Sequence, residues 1–567
     1  MKKFILTILA ITSIVSANAQ TPSAYLDINN IKADVFPFGY LGAFETPKGS
    51  AIYTVGASSL WIGGFDASSN LKIAGQTYRQ SGVDFWPGPL DLSASTNATT
   101  IATYNNVWKL NQCDIDDYTM WLNSGMVGPN PIDSIAMNTI INWPAVSSFG
   151  LPLAPFFDSN TNGIYDPYAG DYPLIKGDQA IFFVFNDNGG VHGETGGGAI
   201  GLEIQAMIYE YSCPDDSSLY NTVFANYKII NRSSFTLDST YIGNWADIDL
   251  GSASDDFIGC DVERGAYYCY NGDIIDDNPP SGQLPYGANP PSQGIVFLSG
   301  PFKDANGLDD LSALTPNGTN YGDLIVDNER LGMSKFVYYN NDGTVTGNPS
   351  AAVDFYNYLV GNWKDATPWT YGGTGHSTGV ACDYMFPGVS DPLGFGTNMI
   401  PQSPWDETIA GNVPADRRGL GSFGPFTFQP GSIQEIDFAY VYGRATSGGN
   451  LASIVVMQER IDSVRQKFNN GITGCGCASL TGINNYEINN SLSIYPNPAS
   501  ENITINFTST SKNISLKIYD ATGRLVKNME NVKSGENTIT LNELENGLYL
   551  LNLQEGNNSV TKRFIKQ

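Results

Sequence analysis

The chain has 567 residues, enough for roughly three to four average domains and for a large core that needs no covalent staple. Glycine (61) and proline (31) are abundant, aromatics make up 12 % and charged residues only 15 %, which excludes a disordered chain or a coiled coil and points to a turn-rich β protein. The formal charge of −27, with no basic run to relieve it, excludes nucleic acid as a partner.

At the N-terminus, Lys2 and Lys3 precede an apolar stretch from Phe4 to Val15 that is too short to span a bilayer, and Ala17-Asn18-Ala19 supplies a small-x-small cleavage site. Residues 1–19 are expected to be a signal peptide, with Gln20 as the new N-terminus and a mature charge of −29. No other stretch approaches the length of a membrane helix, so no transmembrane span is expected.

Residues 20–470 read as a β-rich body of layered antiparallel sheets with few helices; a subdivision near residue 150 is left open. Its strand-like runs are Leu60–Phe65, Ala180–Phe185, Leu202–Tyr211, Val223–Ile230, Ser239–Trp245, Ile295–Leu298, Lys335–Tyr339 and Ile436–Tyr442. Several are apolar at every position, as in Ala180-Ile181-Phe182-Phe183-Val184-Phe185, which is the pattern of a strand buried between two layers. Two helices are predicted. Ala351–Trp363 has Ser350 as N-cap and Val353, Tyr356, Val360 and Trp363 on one face. Leu451–Phe468 has Leu451, Ile454, Val455, Ile461, Val464 and Phe468 on a stripe. No repeat of 20–50 residues is present, which argues against solenoids and propellers.

Within the body, Asp158-Ser159-Asn160-Thr161-Asn162-Gly163-Ile164-Tyr165-Asp166 carries the chemistry of a calcium loop. Calcium takes six to eight oxygens, and side-chain oxygens at positions 1, 3, 5 and 9 with glycine at 6 let the chain wrap around one ion. Asp158, Asn160, Asn162 and Asp166 are the side-chain ligands, and the Ile164 carbonyl fills position 7. Position 12 holds Ala169 where a bidentate acid belongs, and Asp171 stands two residues later as a substitute. Such truncated loops resemble those of dockerins and thrombospondin type 3 repeats; the alternative is an Asx-turn loop with no metal. Further along, Asp247, Asp249, Asp255, Asp256 and Asp261 cluster around Gly251 without ligand spacing, as in a solvated connecting loop.

Catalytic motifs fail on context. Gly375-His376-Ser377-Thr378-Gly379 spells a nucleophile elbow, but a glycine-rich loop precedes it and no histidine follows. His192 and His376 are the only histidines, which excludes the H-E-x-x-H zinc site. A carboxylate pair acting on polysaccharide has no linear signature, and 56 acids leave it open. Trp86, Trp143, Trp369 and Trp405 each neighbour proline, as on an exposed sugar platform, but aromatics in a β protein mostly build core.

Of seven cysteines, Cys260 and Cys269 fall on a hairpin expected to turn at Arg264-Gly265. A two-residue loop there would set them opposite each other, as a cross-strand disulfide or as two small apolar residues on one buried face.

Asparagine- and glycine-rich residues 471–490 read as a linker. Charge shifts with it, from −30 over residues 20–490 to +1 over residues 491–567. The last segment reads as seven short strands, Leu492–Tyr495, Asn502–Phe507, Ile514–Tyr519, Leu525–Met529, Asn537–Leu541, Leu548–Leu553 and Ser559–Ile565, hence a small immunoglobulin-like β-sandwich. Tyr495-Pro496-Asn497-Pro498, then Ile518-Tyr519-Asp520-Ala521-Thr522-Gly523-Arg524, then Asn546-Gly547-Leu548-Tyr549 and Lys562-Arg563-Phe564-Ile565-Lys566 follow in order. In these residues the segment resembles the type A C-terminal sorting domain of the type IX secretion system. The resemblance implies the type IX machinery as partner, passage across a Bacteroidetes-type outer membrane, and removal of the domain with release or attachment to surface lipopolysaccharide. The body segments Ser59–Gly64 and Asp84–Asp91 resemble large secreted Bacteroidetes proteins of unassigned role, which transfers no activity. The sequence thus reads as a secreted or outer-membrane-surface protein, calcium-stabilised and non-catalytic, that binds glycans or surface proteins or is structural; the alternative is a polysaccharide hydrolase.

Overall fold

The computed structural model describes residues 22–277, 282–313, 315–476, 493–507, 514–520, 524–530, 532–555 and 558–567. The expected signal peptide, the linker from residue 477 and Gly523 lie outside the described residues. The chain divides into two compact units, Met1–Gly476 and Cys477–Gln567.

The body is built on two nine-stranded antiparallel sheets. The first runs in the order Ala24–Leu26, Lys32–Val35, Tyr40–Glu45, Ala57–Phe65, Leu237–Asp247, Arg417–Phe428, Lys335–Asn340. The second runs Asp256–Asp261, Ala266–Asn271, Ser292–Ser299, Ile433–Gly443, Thr222–Asn231, Leu202–Glu210, Gln179–Asn186, Trp86–Pro87. Every strand-like run named from the sequence lies on one of these strands.

The doubly apolar strands follow from four layers. On Gln179–Asn186, Ile181, Phe183 and Phe185 point into the core shared with the first sheet, while Ala180, Phe182 and Val184 join a second core. Side-chain period 2 sends neighbours to opposite faces, so a strand covered on both sides must be apolar throughout. The inter-sheet core is joined by the ring pairs Phe297–Phe423 at 4.8 Å and Phe44–Tyr440 at 5.1 Å, and by Ser58 Oγ and Tyr440 Oη at 2.8 Å. The second core packs the other face of that sheet against helices Gln112–Asn123, Ser134–Ile141 and Gly449–Asn469. On the first sheet, helix Ala352–Val360 covers the opposite face, with Phe355 at 4.6 Å from Trp61. Trp143, Trp369 and Trp405 are buried, so the proline-flanked tryptophans other than half-buried Trp86 are core and not platform.

Both predicted helices form, but on shifted faces. In Gly449–Asn469 the buried residues are Gly449, Asn450, Ser453, Met457, Ile461 and Val464, while Leu451 and Val455 are exposed. In Ala352–Val360, Phe355, Tyr356, Tyr358 and Leu359 are buried and Val353 is exposed; Ala351 is the N-cap, and the Ser350 hydroxyl instead reaches Asp354 at 3.1 Å.

The C-terminal unit has all seven expected strands. Ser493–Tyr495, Asn502–Phe507 and Gly535–Thr540 form one sheet; Leu525–Met529, Ile514–Asp520, Gly547–Glu555 and Asn558–Lys566 form the other. Ile503, Ile505 and Phe507 from the first sheet and Leu516, Ile518 and Leu551 from the second meet in one core. It is a small immunoglobulin-like sandwich, and the molecule as a whole is mainly β.

Candidate functional site

The loop from Asp158 to Asp171 is closed by a two-stranded hairpin, with Phe157 opposite Tyr172. Two tyrosines pin it to the helical layer: Tyr165 Oη donates to the Ile140 carbonyl at 2.7 Å and Tyr118 Oη to the Pro167 carbonyl at 2.8 Å. Gly163 has φ +73°, the left-handed conformation that the sharp turn at position 6 requires. The Asp158 carboxylate accepts from the amides of Asn162 at 3.2 Å and Gly163 at 2.6 Å, and Asn160 Oδ1 accepts from Asn162 at 3.1 Å. Each such oxygen has two lone pairs, so one amide bond leaves a donor pair for a cation. Asn160, Asn162, Ile164 and Asp166 are exposed along the loop, whereas Asp171 is fully buried. Asp171 accepts from the amides of Ser159 at 2.9 Å and Asp166 at 2.7 Å, which fastens both ends of the loop. The donor set is all oxygen and fits a hard cation such as calcium.

The second acidic group is rearranged relative to its sequence order, and it is not a solvated loop. Asp256 and Asp261 are fully buried and Asp247 is nearly so. Asp261 pairs with Arg264 at 3.0 Å and Asp256 accepts from the Leu250 amide at 3.0 Å. Asp247 and Asp249 instead meet Asp416, 169 residues away in the chain from Asp247, with oxygens within 4.8 Å of one another. Strand pairing causes this, because Asp247 lies opposite Arg418 in the first sheet. Burial, reinforced by Asp416, pushes the Asp247 carboxyl up to about 6 despite Arg418 at 3.4 Å. Gly56 packs closely here, since a Cβ would stand 2.9 Å from Asp249 Oδ2.

The hairpin carrying Cys260 and Cys269 turns over four residues, 262–265, not two. The Arg264 amide donates to Asp261 Oδ1 at 3.0 Å and the Gly265 amide to the Val262 carbonyl at 3.1 Å, which widens the turn. Cys260 consequently faces Tyr267, Cys269 faces Ile258, and both thiols are free and buried, the apolar one of the two alternatives, although not directly opposite each other. Linear spacing held no pointer to Cys213–Cys475, a disulfide among the described residues that ties the end of the body to the segment following strand Leu202–Glu210.

Among the described residues neither histidine is hydrogen-bonded to a hydroxyl or thiol. His376 Nε2 lies 3.0 Å from Asp365 Oδ2, and the Ser377 hydroxyl meets Thr370. His192 is buried, its ring nitrogens at 2.7 Å from the Ile73 carbonyl and 2.6 Å from the Asp187 carbonyl.

Two clefts remain. One, of about 440 Å³, is bordered by Tyr78, Tyr339 and Phe355, with Glu194 as the single carboxylate in its described lining. The other, of about 360 Å³, lies on the outer face of the second sheet beside the stem of the Asp158 hairpin. There Asn226 Nδ2 donates to both Glu435 Oε1 at 2.9 Å and Asp437 Oδ1 at 2.8 Å. Burial pushes the Asp437 carboxyl up to about 6. Burial also acts on Glu435, but Asn226 and Lys176 outweigh it and hold that carboxyl below its ordinary value.

In the C-terminal unit the Tyr495-Pro496-Asn497-Pro498 segment is exposed and fastened to the last strand. Asn497 accepts from the Ile565 amide at 2.9 Å and donates to the Arg563 carbonyl at 3.3 Å. Tyr549 stacks on Phe564 at 5.5 Å and donates to the Glu545 carbonyl, whereas Lys562 and Arg563 are exposed. Gly547 is exposed with open space around it, at the start of its strand. The motif therefore has a scaffold half, Asn497 and Tyr549, and a displayed half, Tyr495, Pro496, Lys562 and Arg563.

Residues 493–567 match the secretion system C-terminal sorting domain. This sorting domain marks the chain for type IX export, to the cell surface or the medium, and makes the secretion machinery its partner. No helix among the described residues is long and apolar enough to cross a membrane. Among curated proteins none matches this chain. Of solved structures, a DUF3244-family protein with an immunoglobulin-like β-sandwich fold from Bacteroides vulgatus is 20 % identical with a TM-score of 0.13, covering 14 % of this chain and 89 % of that one. A polysaccharide lyase is 8 % identical with a TM-score of 0.18, covering 64 % of this chain and 34 % of that one. At these scores neither structural likeness carries an argument.

Proposed function

We propose that the body is the functional cargo of this export, a non-catalytic binding or structural protein of the cell surface that is stabilised by calcium through the Asp158–Asp171 loop. What supports the calcium reading is the all-oxygen loop itself, with the Asp158 carboxylate accepting from the Asn162 and Gly163 amides and Asp171 fastening both ends. The ligands would be Asp158, Asn160, Asn162, the Ile164 carbonyl and Asp166, with Asp171 as the buried clasp. Two asparagines among them suit the calcium levels found outside cells. After removal of the sorting domain, surface lipopolysaccharide is a candidate anchor, and glycans or surface proteins are candidate ligands.

The decisive measurement is a thermal melt of the purified protein in calcium and in chelator. At calcium tenfold above Kd the body should gain about 1.4 kcal/mol, and Asp158→Ala should remove that gain. A body melt indifferent to chelator would refute the loop as a metal site.

One observation favours the hydrolase as a second reading. Glu435 and Asp437 share a single amide nitrogen and their carboxyls are shifted in opposite directions, as an acid–base pair requires. Release of new reducing ends from any polysaccharide, lost in Glu435→Gln, would favour that reading over the binding one.

A further inference from the structure

The outer face of the second sheet is apolar almost everywhere, because helices cover it. Phe182, Val184, Tyr209, Phe224, Ala439 and Val441 are all buried there. Two adjacent rungs, next to buried Glu203 on the same face, break the pattern. Gln205, Lys228 and Glu435 stand directly across from one another on three adjacent strands, and the next rung is Met207, Asn226 and Asp437. Gln205, Met207, Asn226, Lys228 and Glu435 of these rungs form the floor of the cleft of about 360 Å³, whose wall is Pro155, Leu174 and Ile175 from the stem of the Asp158 hairpin. The volume falls in the range of small-ligand sites, and a mostly apolar lining with a few convergent polar groups is their usual make-up.

The hydrogen bonds define what the floor offers. Asn226 spends its amide hydrogens on Glu435 and Asp437, and Gln205 Nε2 is held by the Pro152 carbonyl at 3.1 Å and Glu203 at 2.9 Å. Both amides are nine-tenths buried and held by their nitrogens, leaving their oxygens as fixed acceptors suited to hydroxyl groups. Glu435 is already met by Asn226 and by Lys176 at 3.5 Å. Lys228, half-buried between Gln205 and Glu435, has no carboxylate within ion-pair distance among the described residues. A lysine set into a covered sheet face, in a body of net charge −29, is an anion partner without its anion.

We propose that this groove is a saccharide site for a sugar that bears a carboxylate, with Lys228 facing the carboxylate and the Asn226 and Gln205 oxygens accepting from its hydroxyls. The proposal names the ligand class of the binding protein inferred above and rests on that reading. It does not depend on calcium being the ion in the loop, although an ordered hairpin supplies the groove wall.

The test is calorimetric titration of the full chain with xylotriose carrying a glucuronate branch and with unbranched xylotriose, each in calcium and in chelator. The acidic sugar should bind at least tenfold more tightly. Lys228→Met and Lys228→Gln should both reduce it to the neutral sugar's affinity without changing the melting temperature by more than a few degrees. Asn226→Asp should weaken both sugars, and high salt should erase the preference. Equal affinity for the two sugars, no binding of either, or a preference untouched by both Lys228 variants would overturn the groove. Those results would leave a calcium-dependent melt intact, whereas binding with no calcium effect on the melt would discard the metal loop alone. New reducing ends during the titration would keep the groove and overturn the non-catalytic reading.

Discussion

The body and the sorting domain are both antiparallel β structures, yet they bury their strands differently. In the sorting domain each strand has one face in the core and one in water, so Asn502–Phe507 alternates, with Ile503, Ile505 and Phe507 buried between less buried neighbours. In the body the two nine-stranded sheets are covered on their outer faces by helices and loops, and Leu202–Glu210 is buried at all nine positions. The larger unit also buries polar groups that the smaller one does not. Glu203, Glu210, Asp187 and Asp256 are fully buried in the body, and no carboxylate is buried among the described residues of the sorting domain. A small sandwich cannot desolvate a charge cheaply, and a four-layer body can supply backbone amides to satisfy one.

The contrast is sharpest in export. Removing residues 493–567 should abolish surface display and leave a folded body inside the outer membrane, scored by fractionation and immunoblot; normal display of the truncated chain would break the division of labour.

Next comes independence of folding. Trp61→Ala should cost the body about 4 kcal/mol, because it empties the contact with Phe355 and Trp245. Ile505→Ala should cost the sorting domain about 3 kcal/mol. Calorimetry should show each substitution moving a different transition, and a single shared transition would refute separate units.

A third difference is in pH. Burial raises the Glu210 carboxyl from its ordinary 4.5 to about 8. Between these values the folded body holds a proton that the unfolded chain has released, so stability is fullest below the window and falls as pH rises through it. At pH 7 the cost is about 3 kcal/mol. Glu210→Gln should flatten the fall of the body's Tm between pH 5 and 8, while the sorting-domain transition keeps its own pH profile. The smallest effect is calcium's, about 1.4 kcal/mol at tenfold saturation, and it should move the body transition alone.

The sorting domain was almost fully legible before folding: seven strands, their turns and the displayed residues Tyr495, Lys562 and Arg563 follow from alternation and motif order. The body's strands were legible too, but their neighbours were not. Leu237–Asp247 pairs with Ala57–Phe65 and Arg417–Phe428, strands nearly two hundred residues away on either side. An all-apolar run states that both faces are covered without stating by what. The same ambiguity misaligned the face of helix Gly449–Asn469, where apolar residues occupy the exposed side as well.

By itself the sequence determined what depends on local spacing: the β class, the sorting module, and a loop whose oxygens at positions 1, 3, 5 and 9 come from one short segment. Only the tertiary structure decided what depends on register. The four-residue turn at 262–265 separated Cys260 from Cys269, and long-range contact joined Cys213 to Cys475. Strand pairing brought Asp416 to Asp247 and set Gln205, Lys228 and Glu435 in one row. Hydrogen bonding between strands fixes which side chains share a face, and that pairing joins residues the linear spacing keeps far apart.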